Sequence, residues 1–141
     1  RYHSAPPAVA FVHGFGIKSG ALASCIAHDS HNILAVGVTD EDLCEAVNTV
    51  IANKGGIAIT HNGKTESLPL PIAGIMSHED GYVVADKYAA LEEKSKELGT
   101  QLHDPFMTLS FMALLVIPSL KLSDKGLFDS ERFCFVPLSE T

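Results

Sequence analysis

Five polar side chains stand together between two apolar runs, as His28, Asp29, Ser30, His31 and Asn32. Imidazole and carboxylate groups can bind a metal ion or transfer protons near neutral pH, but short polar side chains can also fold onto the backbone of a turn. A turn needs only one or two such groups. We therefore predict that this polar cluster, at the end of buried strands, faces a ligand or another domain.

The two histidines have H-x-x-H spacing, which places both imidazoles on one face of a helix but on opposite faces of a strand. The surrounding sequence is strand-like, so the spacing argues against a shared ion unless a turn intervenes. A metal site needs three or four ligands. No spacing selects the others from the remaining candidates, which are His3, His13, Asp29, His61, His78, His103 and Asp104. We expect no metal site contained in this chain.

The motifs of nucleophilic catalysis and nucleotide binding do not fit. Cys25 and Ser30 lie close to the histidines, but no G-x-S-x-G surrounds either. The run GFGIKSG matches neither the dinucleotide fingerprint nor the phosphate loop. The cysteines Cys25, Cys44 and Cys134 are odd in number and form no C-x-x-C, which favours free, packed thiols in a reducing cytoplasm.

Length and composition indicate a single soluble domain spanning residues 1–141, with 46% apolar residues to form its core. Acidic residues outnumber basic ones 17 to 10, giving a net charge of −7, which argues against nucleic acid or an anionic membrane as a partner. The longest apolar stretch, FMALLVI, is far short of the roughly 20 residues of a membrane span. The chain has no initiator methionine and no export leader, so we expect a cytoplasmic piece of a longer protein.

Apolar runs predict strands over residues 8–15, 21–27 and 32–38, the last buried on both faces. The dipeptide Asn62-Gly63 predicts a tight hairpin turn between two further strands. A last, alternating strand over residues 132–138 is expected at a sheet edge.

Three segments have helical signals. Thr39 can cap a first helix whose opening turn holds three acids and which Lys54 and Gly55 can end; its expected apolar face comprises Leu43, Ala46, Val47, Val50 and Ile51. Residues 80–98 predict an exposed amphipathic helix. A buried helix is expected to have Asp104 as its cap and Pro105 at its first position, and to stop before Pro118. Together these elements predict an α+β fold, with a mostly antiparallel or mixed sheet of about six strands and two or three packed helices.

Several blocks carry a family resemblance: GFGIKSGALASCIAHDSHNILAVG, LPLPIAGIMS, DPFMTLSFMAL and KGLFD with FCFVPL. In this order they resemble the C-terminal domain of bacterial-type adenine deaminase, in the amidohydrolase superfamily. The resemblance implies conversion of adenine and water to hypoxanthine and ammonia in purine salvage, with manganese or iron activating the water. It also implies that the metal lies in an N-terminal barrel with an H-x-H motif. This chain has no H-x-H and no room for a barrel of about 250 residues.

The resemblance therefore predicts a domain that is inactive alone, whose partner is its own N-terminal barrel and whose full-length substrate is adenine. We expect His28, Asp29 and His31 to face the barrel's active site as candidate catalytic or positioning residues. Ser30 and Asn32 are candidate substrate contacts. Homo-oligomerisation stays open. The alternative is a non-catalytic module for oligomerisation or for binding a small ligand.

Overall fold

The computed structural model describes residues 5–139, so the candidate ligand His3 lies outside the described residues. The described part contains seven strands and three helices. In chain order they are β1 (Ala21–Ser24), β2 (Leu34–Gly37), α1 (Asp40–Ala52), β3 (Gly56–His61), β4 (Lys64–Pro69), α2 (Gly81–Glu97), α3 (Pro105–Phe111), β5 (Leu120–Ser123), β6 (Gly126–Asp129) and β7 (Cys134–Val136).

The strands form two sheets, with the orders β2-β1-β3-β4 and β5-β6-β7. Every strand pairing in the described residues is antiparallel. The predicted α+β class and antiparallel pairing are thus confirmed. The single sheet of about six strands is in fact a sheet of four and a sheet of three.

The two faces of the larger sheet differ in side-chain size. Because successive residues of a strand point to opposite faces, Ala21, Ala23 and Ala58 share one face, where they pack with Ala46 and Val50 of α1. Helix α1 can lie close to the sheet because the strand residues beneath it are small.

The opposite face carries the larger apolar side chains. Leu22 of β1 and Ile57 and Ile59 of β3 are at most 1% exposed and pack with Leu91 of α2 and Phe106 of α3. Burying an aliphatic side chain of this size contributes about 1.5–3 kcal/mol to folding. This layer is therefore the main hydrophobic core, and α3 belongs to it.

Local signals in the sequence located the start of α1 correctly. The Thr39 hydroxyl accepts a hydrogen bond from the Asp42 N–H at 3.2 Å, as predicted for a cap. After α1 the chain turns through Lys54 and Gly55, both with positive φ. On the predicted apolar face of α1, Ile51 is wrong, because it is 57% exposed.

The predicted hairpin and second helix are also confirmed. Asn62 and Gly63 both have positive φ and connect β3 to β4 as a two-residue turn. Asp80 caps α2 by accepting from the Tyr82 N–H at 2.9 Å. Gly99, just after α2, has a φ of 103°.

The prediction of a strand over residues 8–15 is wrong. This segment has no regular secondary structure and pairs with no strand of the described chain, and Phe11 is 93% exposed. β-forming residues make a strand only when a neighbouring strand completes their hydrogen bonds. The full burial predicted for residues 32–38 is also wrong, because β2 lies at a sheet edge and is half-buried.

The third helix is shorter than predicted, and Asp104, its expected cap, makes no side-chain capping hydrogen bond. It ends at Phe111, and the chain then turns until β5 begins at Leu120. Its burial is partial, since Met107 is 49% exposed. A longer helix, apolar on all sides, would expose much of its surface; instead the chain returns as the β5–β6 hairpin, where the Leu122 N–H donates to the Met112 carbonyl at 2.9 Å. The sequence prediction missed this hairpin.

The remaining outcomes concern β7 and the thiols. Strand β7 lies at the edge of its sheet, as predicted. Cys25 is buried, but Cys44 and Cys134 are exposed, so the expectation that all three are packed is wrong for two. No helix in residues 5–139 is long and apolar enough to cross a membrane.

Candidate functional site

The polar cluster forms a turn in the connection from β1 to β2. Its backbone is closed by the His31 N–H, which donates to the Ala27 carbonyl at 2.8 Å. It is also fixed to α3, because the His28 N–H donates to the Ser110 carbonyl at 3.2 Å. Main-chain hydrogen bonds therefore hold the turn in place.

The side chains of the turn contribute little to holding it in place. Asp29, Ser30, His31 and Asn32 are exposed, and His31 adopts a φ of 50°. Within residues 5–139 none of the five side chains in the cluster makes a hydrogen bond. The turn reading expected Asp29 or Asn32 to fold onto nearby backbone, and that expectation is wrong. The exposed polar groups are thus free for another molecule or domain.

His28 differs from its neighbours because it is half-buried. Its ring packs on Phe111 of α3, with 4.8 Å between ring centroids and an interplanar angle of 35°. A tilted aromatic contact of this kind contributes about 0.5–1.5 kcal/mol. His28 therefore anchors the turn, while Asp29 and His31 project from it.

His31 borders a small cavity of about 210 Å³. Ala73 and Gly74, from the loop that joins β4 to α2, line the opposite wall, and Lys54 and Ile33 complete the rim. This β4–α2 loop comprises residues 70–80. The fold thus brings together two loops that are some forty residues apart in sequence.

The thiol of Cys25 holds the β4–α2 loop against the sheet. Its Sγ donates to the Gly74 carbonyl at 2.7 Å and accepts from the Gly56 N–H at 3.0 Å. The loop itself is closed by reciprocal backbone hydrogen bonds between Ile72 and Met76, each at 3.0 Å. Cys25 is therefore a structural residue and not a nucleophile.

The β4–α2 loop exposes large apolar side chains beside the polar turn. Ile72, Ile75 and Met76 are 43%, 37% and 51% exposed. Sequence reasoning missed these residues as part of a site. Their signal was an apolar Ile-Ala-Gly-Ile-Met run placed directly after two prolines, where a loop is expected.

The structure does not assemble the candidate metal ligands. Residues 5–139 contain no group of three or more His, Cys, Asp and Glu side chains that could hold an ion. A turn does intervene between His28 and His31, but one ring packs on Phe111 and the other borders the small cavity. His103 and Asp104 do meet, with 2.7 Å between Nδ1 and Oδ2, and this exposed contact raises the pKa of His103.

Glu92 lies near this pair, on the face of α2 turned toward α3. Its Oε1 atom is buried without a hydrogen-bond partner in the described residues. Burial raises the pKa of Glu92, while the hydroxyl of Tyr88 lowers it. Burial, with the charge of Glu92, also raises the pKa of Tyr88 to about 12. Ionised Glu92 therefore lowers the stability of the fold at neutral pH.

Replacing Glu92 by Gln should stabilise the domain at neutral pH. Folded Glu92 keeps its proton to a higher pH than the unfolded chain does, so stability falls as pH rises from the ordinary glutamate pKa to the folded one. We expect Glu92→Gln to raise Tm by about 1–3 °C near pH 7. The gain should disappear as pH falls below the ordinary glutamate pKa, because both states are then protonated. A Tm difference that does not change with pH in melts across this range would contradict the assignment.

Known proteins resemble this chain closely. The family described as adenine deaminase C-terminal domain matches residues 1–134. The adenine deaminase of Sulfurovum sp. (strain NBC37-1) is 59% identical over 137 residues, which cover 96% of this chain and 26% of the relative. That of Methanosarcina acetivorans is 55% identical over 138 residues, covering 98% and 25%. That of Borreliella burgdorferi is 53% identical over 129 residues, covering 91% and 24%.

The matched region extends through all of the elements that build the site, from β1 to the start of β7. The chain spans about a quarter of the length of these relatives. Both the family match and the identities lie well above what chance similarity would give over this length. The chain belongs to the adenine deaminase C-terminal domain family.

Proposed function

We propose that this chain is the C-terminal domain of a metal-dependent adenine deaminase, which converts adenine and water to hypoxanthine and ammonia. The observation that carries the proposal is the identity of 51–59% to proteins named adenine deaminase, extending over nearly all of this chain. The remaining three-quarters of such a protein would supply the catalytic barrel. Residues 1–141 would be one domain attached to it.

The catalytic metal is proposed to lie outside this chain. The described residues do not fit such a group, because they bring together no set of three or more His, Cys, Asp and Glu side chains suited to an ion. A catalytic centre needs about three protein ligands. We assign the divalent metal, manganese or iron, to the N-terminal barrel.

The polar turn is proposed to face the barrel's active site. Its geometry supports this because the backbone, and not the side chains, holds the turn. Asp29 and His31 carry a carboxylate and an imidazole, the groups that most often transfer protons in enzyme active sites. Ser30 and Asn32 offer a hydroxyl and an amide for hydrogen bonds to the substrate. His28 acts through its contact with Phe111, as a positioning residue.

The proposal also includes a cellular location and a metabolic role. Exposed free thiols at Cys44 and Cys134 suit a reducing compartment, which supports a cytoplasmic location. An enzyme that turns adenine into hypoxanthine would act in purine salvage. Homo-oligomerisation is retained as an alternative role for the apolar surface described below.

The test is the activity of the full-length protein that contains these residues. We expect it to release ammonia and hypoxanthine from adenine, and to lose this activity when a chelator removes the metal and regain it when Mn²⁺ or Fe²⁺ is restored. Cytosine and guanine serve as control substrates. Full-length protein that is folded and metal-loaded but leaves adenine unchanged would refute the proposed function.

A further inference from the structure

A long groove runs beside the outer edge of β2. Its volume is about 860 Å³, and the whole of β2 lines it. Strand β2 pairs only with β1 in the described residues, so its other edge has no strand partner. Exposed strand edges attract other chains and are usually covered in a finished protein.

Apolar side chains from several elements line the groove. Val9, Phe11 and Val12 form one wall and are 67%, 93% and 47% exposed, and Leu120 and Leu138, at 48% and 50%, lie in other parts of the lining. Contiguous exposed apolar surface of this kind is rare on a free-standing protein and marks an interaction site. We therefore expect another protein surface to cover the groove in the full-length protein.

The position of the groove indicates what covers it. One wall is the segment 7–12, the described part of the chain nearest to Arg1. The relatives are about four times as long, and the family is a C-terminal domain, so the rest of such a protein precedes residue 1. The preceding domain would therefore enter beside the groove, at high effective concentration.

The groove also continues into the candidate site. Ile33, which directly follows the polar turn, lines both the groove and the small cavity beside His31. A body that fills the groove along β2 would therefore lie next to Asp29 and His31. A domain that docks in the groove would therefore also face the polar turn.

We propose that the groove between segment 7–12 and β2 is the docking site for the catalytic domain that precedes residue 1 in the full-length protein. The proposal rests on the proposed function, since that function supplies the preceding domain. The docked surface is expected to be mostly apolar, like the residues that line the groove. It places the polar turn at the boundary between the two domains.

The test uses the cysteines of the chain as probes. Cys44 is exposed and lines the groove, whereas Cys134 is exposed on β7 and is not among the lining residues. We expect N-ethylmaleimide to modify Cys44 at least about tenfold more slowly in the full-length protein than in the 141-residue chain, because docking buries the thiol. Peptide mass spectrometry resolves each site, and Cys134 gives the reference rate.

Two matched variants of the full-length protein separate docking from unfolding. Phe11→Asp introduces a charge into the groove and should restore rapid modification of Cys44. Tyr82→Asp changes an aromatic residue that is 85% exposed on α2, outside the groove, and should leave Cys44 protected. Equal Cys44 rates in the chain and in the full-length protein overturn the proposal.

Protection of Cys44 that appears in the isolated chain and increases with its concentration would also overturn it, because a second copy would then be the occupant. Thiol modification does not require turnover. A protein that protects Cys44 but leaves adenine unchanged would keep the docking site and refute the proposed function. A protein that deaminates adenine with Cys44 unprotected would do the reverse.

Discussion

In the full-length enzyme, His31→Ala and Asp29→Ala are each expected to lower kcat/KM for adenine by about 10- to 1000-fold, equivalent to about 1.4–4 kcal/mol of transition-state stabilisation. The expectation follows from the turn, whose backbone hydrogen bonds survive the loss of either side chain. The fold should therefore persist, with an unchanged Tm. His28→Ala should reduce Tm as well as activity, because it removes the contact with Phe111.

A matched pair of control variants is available at the other end of α3. His103 and Asp104 are also an exposed histidine and aspartate, and Asp104 makes no side-chain capping hydrogen bond. His103→Ala and Asp104→Ala should leave kcat/KM within about twofold of wild type. The measurement is steady-state kinetics with pH profiles, thermal melts and metal content for each variant. Unchanged kinetics in the His31 and Asp29 variants, or activity losses that only follow the loss of folded protein, would assign the turn a purely structural role.

The isolated chain is expected to fold and yet to leave adenine unchanged, even with added Mn²⁺ or Fe²⁺. The physical reason is that residues 5–139 bring together no set of metal ligands, and without an activated water the enzymatic acceleration of at least about a millionfold is lost. Ammonia release is the measurement, with circular dichroism to establish folding and the full-length protein as the positive control. Chelator-sensitive turnover by the purified chain would contradict the placement of the metal.

Elements with strong local signals could be predicted from the sequence. Thr39 and the Asn62-Gly63 turn each act through hydrogen bonds or dihedral angles within a few residues, and the structure places both as predicted. The prediction of a strand over residues 8–15 was wrong because a strand also needs a neighbouring strand to pair with. Their apolar, β-forming composition is equally suited to an interface with a domain outside this chain.

The candidate site was predicted in part for the same reason. The density of polar groups from His28 to Asn32 was visible in the sequence, and the structure exposes four of the five. The β4–α2 loop was not identified, since its place beside the turn depends on the hydrogen bond from Cys25 to Gly74, 49 residues away. No periodicity or turn signal encodes a contact of that separation.

The alanine-lined face of the larger sheet should influence how well the preceding domain fits the groove. Helix α1 rests on Ala21, Ala23 and Ala58. Its partly buried residues Leu43 and Val47 pack against this layer and also line the groove. An added methyl group in such a tight layer must displace the helix, at a cost of about 1–3 kcal/mol. The size of the buried side chains beneath α1 should therefore set the width of the groove. A larger residue at one of these alanines should weaken docking at the groove, although the alanine itself does not contact the docked domain.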